Sequence, residues 1–230
     1  MLDNNSEIVQ LYQKFTCNIL INGSNFGADV KQASDLISMD SSELQKFADE
    51  LQGEDKAHEA LFIAYLGLSK SSTAEDLRKS AIGIYDATDD IVTEDIKRMA
   101  TNLLQTYKTT IDRITETDDE NEVKTVAIAD VWTAIGYLHC VTGGNARHIV
   151  AADKAMEIMH TLPNPQRFSV YADCFENKAY AMMRMEKYGE SLENYKKAKK
   201  FMSQCTDKTE DEKRDDIKWF DVWIAQLQGK

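Results

Sequence analysis

Residues 93 to 115 repeat apolar side chains at steps of three and four, the spacing of one face of an α-helix. Glu94 and Asp95 stand in the first turn of this stretch, where negative charge complements the helix dipole. Turn residues are scarce throughout, with 2 prolines and 10 glycines among 230 residues. The sequence therefore favours long helices over a sheet that needs many turns. The apolar positions are Ile96, Met99, Ala100, Leu103, Leu104, Tyr107, Ile111 and Ile114.

The same periodicity predicts helices along nearly the whole chain, and no strand-like alternation of useful length is found. The predicted fold class is therefore all-α. Asp40 and Glu43 have the spacing of a capping box at a helix start, and Ser72 and Glu75 repeat that spacing. The predicted helices cover 6–21, 29–38, 40–52, 55–70, 72–87, 93–115, 122–142, 146–161, 166–185, 189–205 and 209–228.

Short connections between these helices predict antiparallel neighbours, as in bundles or stacked helix pairs. We predict an irregular helical section over 1–120 and a section of repeated helix pairs over 121–230, the two forming one continuous unit. The composition, 43% hydrophobic and 29% charged, allows a sizeable core.

The net charge of −12 disfavours binding to a phosphate backbone or an anionic membrane and permits attraction to a basic partner. The acidic runs 116–122 and 207–216 are predicted to be solvated loops or helix starts. The lysines within 196–200 are interpreted as the solvated side of a helix, with Glu193 nearby, and not as a nucleic-acid site. No nucleic acid or membrane partner is expected.

The cysteines, at positions 17, 140, 174 and 205, form no CxxC pair, which is typical of reduced thiols in a cytoplasmic protein. Neither a secretory signal nor an apolar run long enough to span a membrane is evident. The histidines lack metal-binding spacing, and residues 142–147 lack the lysine of a phosphate loop. With no identifiable Ser/His/Asp set, we predict no enzyme activity, metal or cofactor.

One stretch, "KAYAMMRMEKYGESLENYKKA" at 178–198, resembles a tetratricopeptide (TPR) motif, in which two antiparallel helices pack closely. Lys178 and Ser191 depart from the motif, which usually has an aliphatic residue and an alanine at these positions. The positions that match are Phe175, Ala179, Met182, Tyr188, Tyr195 and Ala198.

A second stretch, at 130–159, also resembles the motif, and the pair at 55–87 is a third, degenerate candidate. His139 and His148 depart from its usual aromatic residue and alanine. The resemblance, clearest over 129–205, implies antiparallel helix pairs stacked as a TPR-like right-handed superhelix with a C-terminal capping helix. Trp219 and Trp223 would lie in that cap or form an exposed patch that binds a partner. The matching residues are Trp132, Ile135, Gly136 and Ala155.

TPR-like proteins bind partners mainly on the concave face formed by their first helices. The family's chaperone-binding clamp has lysine and asparagine on this face, whereas this chain has Glu176 and Tyr180. Acid plus tyrosine suits a basic or amphipathic protein segment. The binding residues implied by position are Asp130, Thr133, Tyr137, Asp173, Glu176, Tyr180 and Arg184.

The resemblance thus implies a non-enzymatic adaptor, scaffold or peptide-responsive regulator. One alternative is a small acidic inhibitor or immunity-type protein that masks a basic target with its surface charge. The other is an enzyme with a pocket between its helices.

Overall fold

The structure, a computed structural model, describes residues 36, 38–54, 56–89, 91 and 93–230. The helix predicted over 6–21 and most of the one predicted over 29–38 lie outside the described residues. Within the described part of 41–230 the chain forms nine α-helices, one short 3-10 turn and no strand, so the all-α prediction is confirmed there. The chain divides into two units, Met1–Asp119 and Glu120–Lys230.

Four helices of the first unit have defined bounds. Each packs against the next, and the first also packs against the third. Three residues separate each of these helices from the next along the sequence. The helices are α1 (Ser41–Gly53), α2 (Ala57–Lys70), α3 (Ala74–Asp89) and α4 (Thr93–Glu116).

The second unit has five helices and repeats this order of contacts. Each helix packs against the next, and the first also packs against the third. The described fold is therefore helical-repeat-like, with adjacent helix pairs packed together. A 3-10 turn, Pro165–Arg167, precedes the third helix. The helices are α5 (Asn121–Val141), α6 (Asn145–Met159), α7 (Ser169–Arg184), α8 (Tyr188–Met202) and α9 (Glu210–Gln228).

Two helix starts test the predicted caps. The capping box at α1 is confirmed, because the Glu43 backbone N–H donates to Asp40 Oδ1 at 2.8 Å and the Asp40 N–H donates to Glu43 Oε2 at 2.9 Å. The cap predicted at Ser72 is wrong by one residue. Thr73 Oγ1 accepts from the Asp76 N–H at 3.1 Å, so α3 begins one position later.

Each acidic run contains an aspartate that caps a distant helix start. Asp119 Oδ2 accepts from the Ala74 N–H at 2.6 Å, at the first residue of α3. Asp207 accepts from the Ser169 N–H at 2.8 Å, at the first residue of α7. The runs are therefore not only solvated loops and helix starts, because these two carboxylates satisfy helix amides that otherwise have no partner.

The interior of the second unit uses the small and aromatic positions of the motif. Ala155, Ala179 and Ala198 are fully buried, as is Tyr195. Ser191, which departs from the motif, is also buried, and its hydroxyl donates to the Ala179 carbonyl at 2.7 Å. A buried hydroxyl needs such a partner, so the departure is accommodated without disturbing the packing.

His148 occupies the equivalent position in the earlier helix pair and is accommodated differently. Its ring is buried and its Nε2 lies 2.5 Å from Asn177 Oδ1. A Cβ added at Gly136 would lie only 2.8 Å from His148 Cδ2. The absence of a side chain at residue 136 therefore makes room for the imidazole. Burial lowers the pKa of His148, against the hydrogen bond to Asn177, so the neutral ring is favoured.

Candidate functional site

Three of the predicted binding residues lie on one side of α7 and face α9. Asp173, Glu176 and Tyr180 follow at steps of three and four and are each half-buried. The Tyr180 ring meets the Trp223 ring edge-on, with centroids 6.4 Å apart, and the Trp219 indole lies close enough to Glu176 to lower the pKa of its carboxyl. We call this surface the acidic–aromatic face and define it by Asp173, Glu176, Tyr180, Asp216, Trp219 and Trp223.

The aromatic part of the face centres on Trp223. Its ring is stacked on Tyr195 at 6.2 Å between centroids with a 9° interplanar angle. Trp219 meets Trp223 edge-on at 5.4 Å and 89°. While Trp223 is half-buried, Trp219 is 51% exposed. The face therefore presents one large aromatic surface to solvent on top of a packed aromatic base.

The acidic part brings three carboxyl groups near one ammonium group. Asp173 is influenced by the charges of Glu176, Asp216 and Asp130, the last of which stands on α5. Lys208 Nζ lies 2.7 Å from Asp216 Oδ2. Burial alone would lower the pKa of Lys208, but Asp173 and Asp216 more than offset it, so the net pKa is raised. This lysine therefore stays protonated and balances only part of the negative charge.

Burial, and after it the neighbouring negative charge, raises the pKa values of the two α7 carboxyls. For Asp173 the cause is first burial, which Lys208 opposes, and then the neighbouring carboxylates. For Glu176, burial and then the charge of Asp216 raise the pKa to about 7, while Lys208 and the Trp219 N–H oppose the rise. At neutral pH the Glu176 carboxyl is therefore divided between its protonated and ionised forms.

The raised pKa of Glu176 means that keeping its carboxyl ionised costs free energy in the free, folded protein. The pKa of Glu176 rises from an ordinary 4.5 to about 7, so between these pH values the folded protein binds a proton that the unfolded chain has lost. The contribution of Glu176 to stability is therefore fully present below this window and is lost as the pH rises through it. A cation placed against the carboxyl would reverse this loss.

The other predicted binding residues are not all brought to this face. Asp130 is half-buried and joins it electrostatically. Thr133 is buried, and its hydroxyl donates to the Asp130 carbonyl of its own helix at 2.7 Å. Tyr137 is half-buried near the C-terminal end of α5, and Arg184 is exposed at the last residue of α7. Arg184 lowers the pKa of Cys140, which burial raises, so its charge lies toward α5.

Two charged residues of the site were missed by sequence reasoning. Asp216 belongs to the acidic run 207–216, which was predicted to be a solvated loop or helix start, but it pairs with Lys208 and faces the α7 carboxyls. The spacing of Asp216, Trp219 and Trp223, at steps of three and four, carries the signal, since it places all three on one side of α9. Lys208 lies before α9, so helical spacing could not have located it.

The lysines of 196–200 are engaged on the surface of α8, as the sequence suggested. Lys196 pairs with Glu193 at 2.9 Å, and Lys199 pairs with Asp221 of α9 at 2.6 Å. Lys197 and Lys200 lie over the rings of Phe175 and Phe201. This pattern of ion pairs and ring contacts does not form an open cationic stripe of the kind that follows a phosphate backbone.

A cleft of about 260 Å³ lies in the first unit. Arg113, one of its lining residues, donates to the Leu68 carbonyl at 2.8 Å and to the Ser71 carbonyl, so its guanidinium serves the C-terminal end of α2. No carboxylate, histidine or cysteine is among the residues that line the cleft. The lining residues are Tyr65, Leu68, Ser69, Gln105, Thr106, Thr109, Thr110 and Arg113.

Two further properties hold for the part of the chain that the structure describes. No three side chains of histidine, cysteine, aspartate or glutamate are grouped so that they could hold a metal ion. Nor does any of these helices combine the length and the apolar character that crossing a bilayer requires.

Comparison of the chain with known protein families gives no match, and comparison with curated proteins gives none either. The similarity to TPR proteins therefore remains a resemblance carried by the motif residues and by the packing of adjacent helix pairs.

Proposed function

We propose that this chain is a non-catalytic protein-binding module that holds a basic or amphipathic segment of a partner on its acidic–aromatic face. The observation that supports this most directly is the group of three carboxyls, Asp173, Glu176 and Asp216, near the ammonium of Lys208. A partner's lysine or arginine would supply the missing positive charge, and hydrogen bonds between ionised groups are the strong ones.

The arrangement of the helices supports a TPR-like array of the kind that the resemblance implies. The helix α5 packs against α7, and side chains of α7 meet those of α9. In the proposal these three are the first helices of successive pairs in a right-handed superhelix. Tyr180 and Trp219 would then give the bound segment rigid aromatic contact area next to the carboxyls, as at many protein interfaces.

The net charge and the state of the basic residues favour a protein ligand over a nucleic acid. The chain carries −12, and the lysines of α8 already face carboxylates or aromatic rings. Phosphate would be repelled by the same carboxyls that attract a basic segment.

The test is calorimetric titration with a designed basic amphipathic helix of leucine and lysine, about 18 residues long. We expect D173N/E176Q to weaken binding about five- to twentyfold, because it removes two carboxylates while keeping their shapes. The matched control is E157Q/E193Q, which replaces the same number of carboxyl groups at exposed surface ion pairs. Since such pairs contribute little, we expect less than about a twofold change.

Equal losses in the two double variants would contradict the proposal, because affinity would then follow net charge alone. Equal losses together with a steep fall in affinity as salt is raised would instead favour the acidic inhibitor that masks a basic target, since exposed ion pairs are screened. Loss of binding confined to D173N/E176Q would support a specific groove.

A further inference from the structure

The exposed aromatic ring and the α7 carboxyls are held next to each other. The Trp219 indole lies beside Glu176, close enough to lower the pKa of its carboxyl, and the ring stands edge-on to Trp223 at 5.4 Å. These two contacts orient the indole, while about half of it (51%) remains exposed. An oriented, accessible indole beside carboxylates suits a cation that can stack on the ring and pair with an acid.

A second observation lies beneath the carboxyls. Tyr195 is fully buried, and its hydroxyl has no hydrogen-bond partner. The hydroxyl faces the cluster, because Glu176 and Tyr180 are its two strongest charged or polar neighbours. Trp223 Nε1, at the ring stacked on Tyr195, is also buried without a partner. Buried polar groups are almost always satisfied, and the Tyr195 hydroxyl can accept as well as donate, so it marks a site that is incomplete in the free chain. The Trp223 N–H can only donate, so a bound cation would not pair with it.

From this geometry we infer that the acidic–aromatic face admits an arginine side chain of the bound segment, with the guanidinium over Trp219 and against Glu176 and Asp216. The inference rests on the proposed function and specifies the ligand group that this function requires. A guanidinium fits better than an ammonium, because it is planar, stacks on an indole and offers paired N–H donors to a carboxylate. The ionised Glu176 also becomes a stronger acceptor for the unpaired Tyr195 hydroxyl below it.

Binding of this cation is linked to release of a proton. In the free chain the pKa of Glu176 is about 7, so the competent, ionised form is about one tenth of the population at pH 6 and about nine tenths at pH 8. Apparent affinity scales with that fraction, so it rises about tenfold from pH 6 to pH 8. The groups that face Glu176 are Asp173 and Tyr180 on α7, Asp216 and Trp219 on α9, Tyr195 on α8 and Lys208 in the loop before α9.

The test uses the full chain and N-acetyl-arginine amide, with N-acetyl-citrulline amide as the neutral probe of the same shape. Ionic strength is held constant, and the Trp219 indole N–H is followed by NMR. Arginine amide should give a saturable shift with half-saturation on the order of 10 mM at pH 8 and about tenfold weaker binding at pH 6. E176Q should weaken binding and remove its dependence on pH, whereas E193Q should change neither.

W219A and D216N are independent variants that should each weaken binding, so the inference stays testable if E176Q is poorly folded. Equal shifts with the citrulline probe, the same affinity in E176Q, or no saturation would overturn it. If the amphipathic peptide still binds and is weakened by D173N/E176Q, the proposed function stands while the arginine site fails. If neither probe binds, both fail.

Discussion

The two units share an order of helix contacts but fill their interiors with different residues. In each, successive helices pack together and the first also meets the third. Both units bury alanines, but the first fills the rest of its interior mainly with leucine and isoleucine, while the second buries Tyr171, Phe175, Tyr195 and Phe220. The comparison teaches that short connections and apolar stripes suffice to determine which helices pack against each other. The motif residues then set how closely those helices approach.

The capping hydrogen bonds from distant aspartates are a second feature that the two units share. Asp119 follows α4 and caps α3, and Asp207 follows α8 and caps α7. In both cases the chain leaving the second helix of a pair returns to the start of the first. The repeat predicted over 55–87 corresponds to α2 and α3, which pack together, and it stays a prediction.

The difference between the two units is tested most strongly by replacing one buried glycine in each unit with alanine and measuring the change in stability. At Gly136 the new Cβ would meet the His148 ring at 2.8 Å, whereas at Gly67 its nearest neighbour is Ser80 Oγ at 3.4 Å. We expect G136A to lower the free energy of unfolding by about 2–3 kcal/mol through overpacking. We expect G67A to raise it by about 0.5–1 kcal/mol, because alanine favours the helix. Urea denaturation monitored by circular dichroism measures both.

A double-mutant cycle identifies the cause of the loss at residue 136. G136A/H148S reproduces the pair formed by Ala179 and Ser191, whose hydroxyl finds a backbone carbonyl. We expect H148S to recover most of the stability lost in G136A. If the loss persists in the double variant, the imidazole is not what excludes the methyl group.

Helix positions could be predicted from the sequence because apolar spacing is local. The stripe from Ile96 to Ile114 lies within one helix, and its observed bounds, Thr93–Glu116, follow the pattern. The remote caps could not be predicted in this way, since Asp119 and Ala74 meet only after the chain has folded back. One helix start shifted because Thr73, and not Ser72, supplies the capping oxygen. Either hydroxyl fits the local spacing.

The grouping of the candidate site residues could be predicted where it depends on a single helix. Asp173, Glu176 and Tyr180 share a side of α7 by helical spacing alone. Their contacts with Trp219 and Asp216 depend on the docking of α9, which spacing within α7 does not encode. Thr133 was carried over from the motif to a binding position, yet its burial and its hydrogen bond to its own helix follow from packing against neighbouring helices.

Removing the two remote caps tests whether they contribute equally in the two units. Asp207 accepts two hydrogen bonds from the Ser169 amide and one from its hydroxyl, whereas Asp119 accepts one from Ala74. We expect D207A to cost about 1–1.5 kcal/mol and D119A about 0.5–1 kcal/mol. Thermal melts should rank them in that order. The controls are D118A and D215A, at exposed aspartates of the same two acidic runs. Equally large losses of stability in these control variants would argue against capping.

The smallest expected effect compares the ends of α5 and α7 within the second unit. Both end in the same motif: the Gly144 N–H donates to the His139 carbonyl and the Lys187 N–H donates to the Met182 carbonyl at 2.9 Å. The residue before each donor has positive φ, +86° at Gly143 and 61° at Glu186. Only glycine adopts this conformation without strain, and the Glu186 side chain is exposed. We therefore expect E186G to stabilise the chain by about 0.5–1 kcal/mol and G143A to destabilise it by a similar amount, as measured by urea denaturation. A loss of stability in E186G would mean that the glutamate side chain, and not backbone conformation, decides which residue suits that helix end.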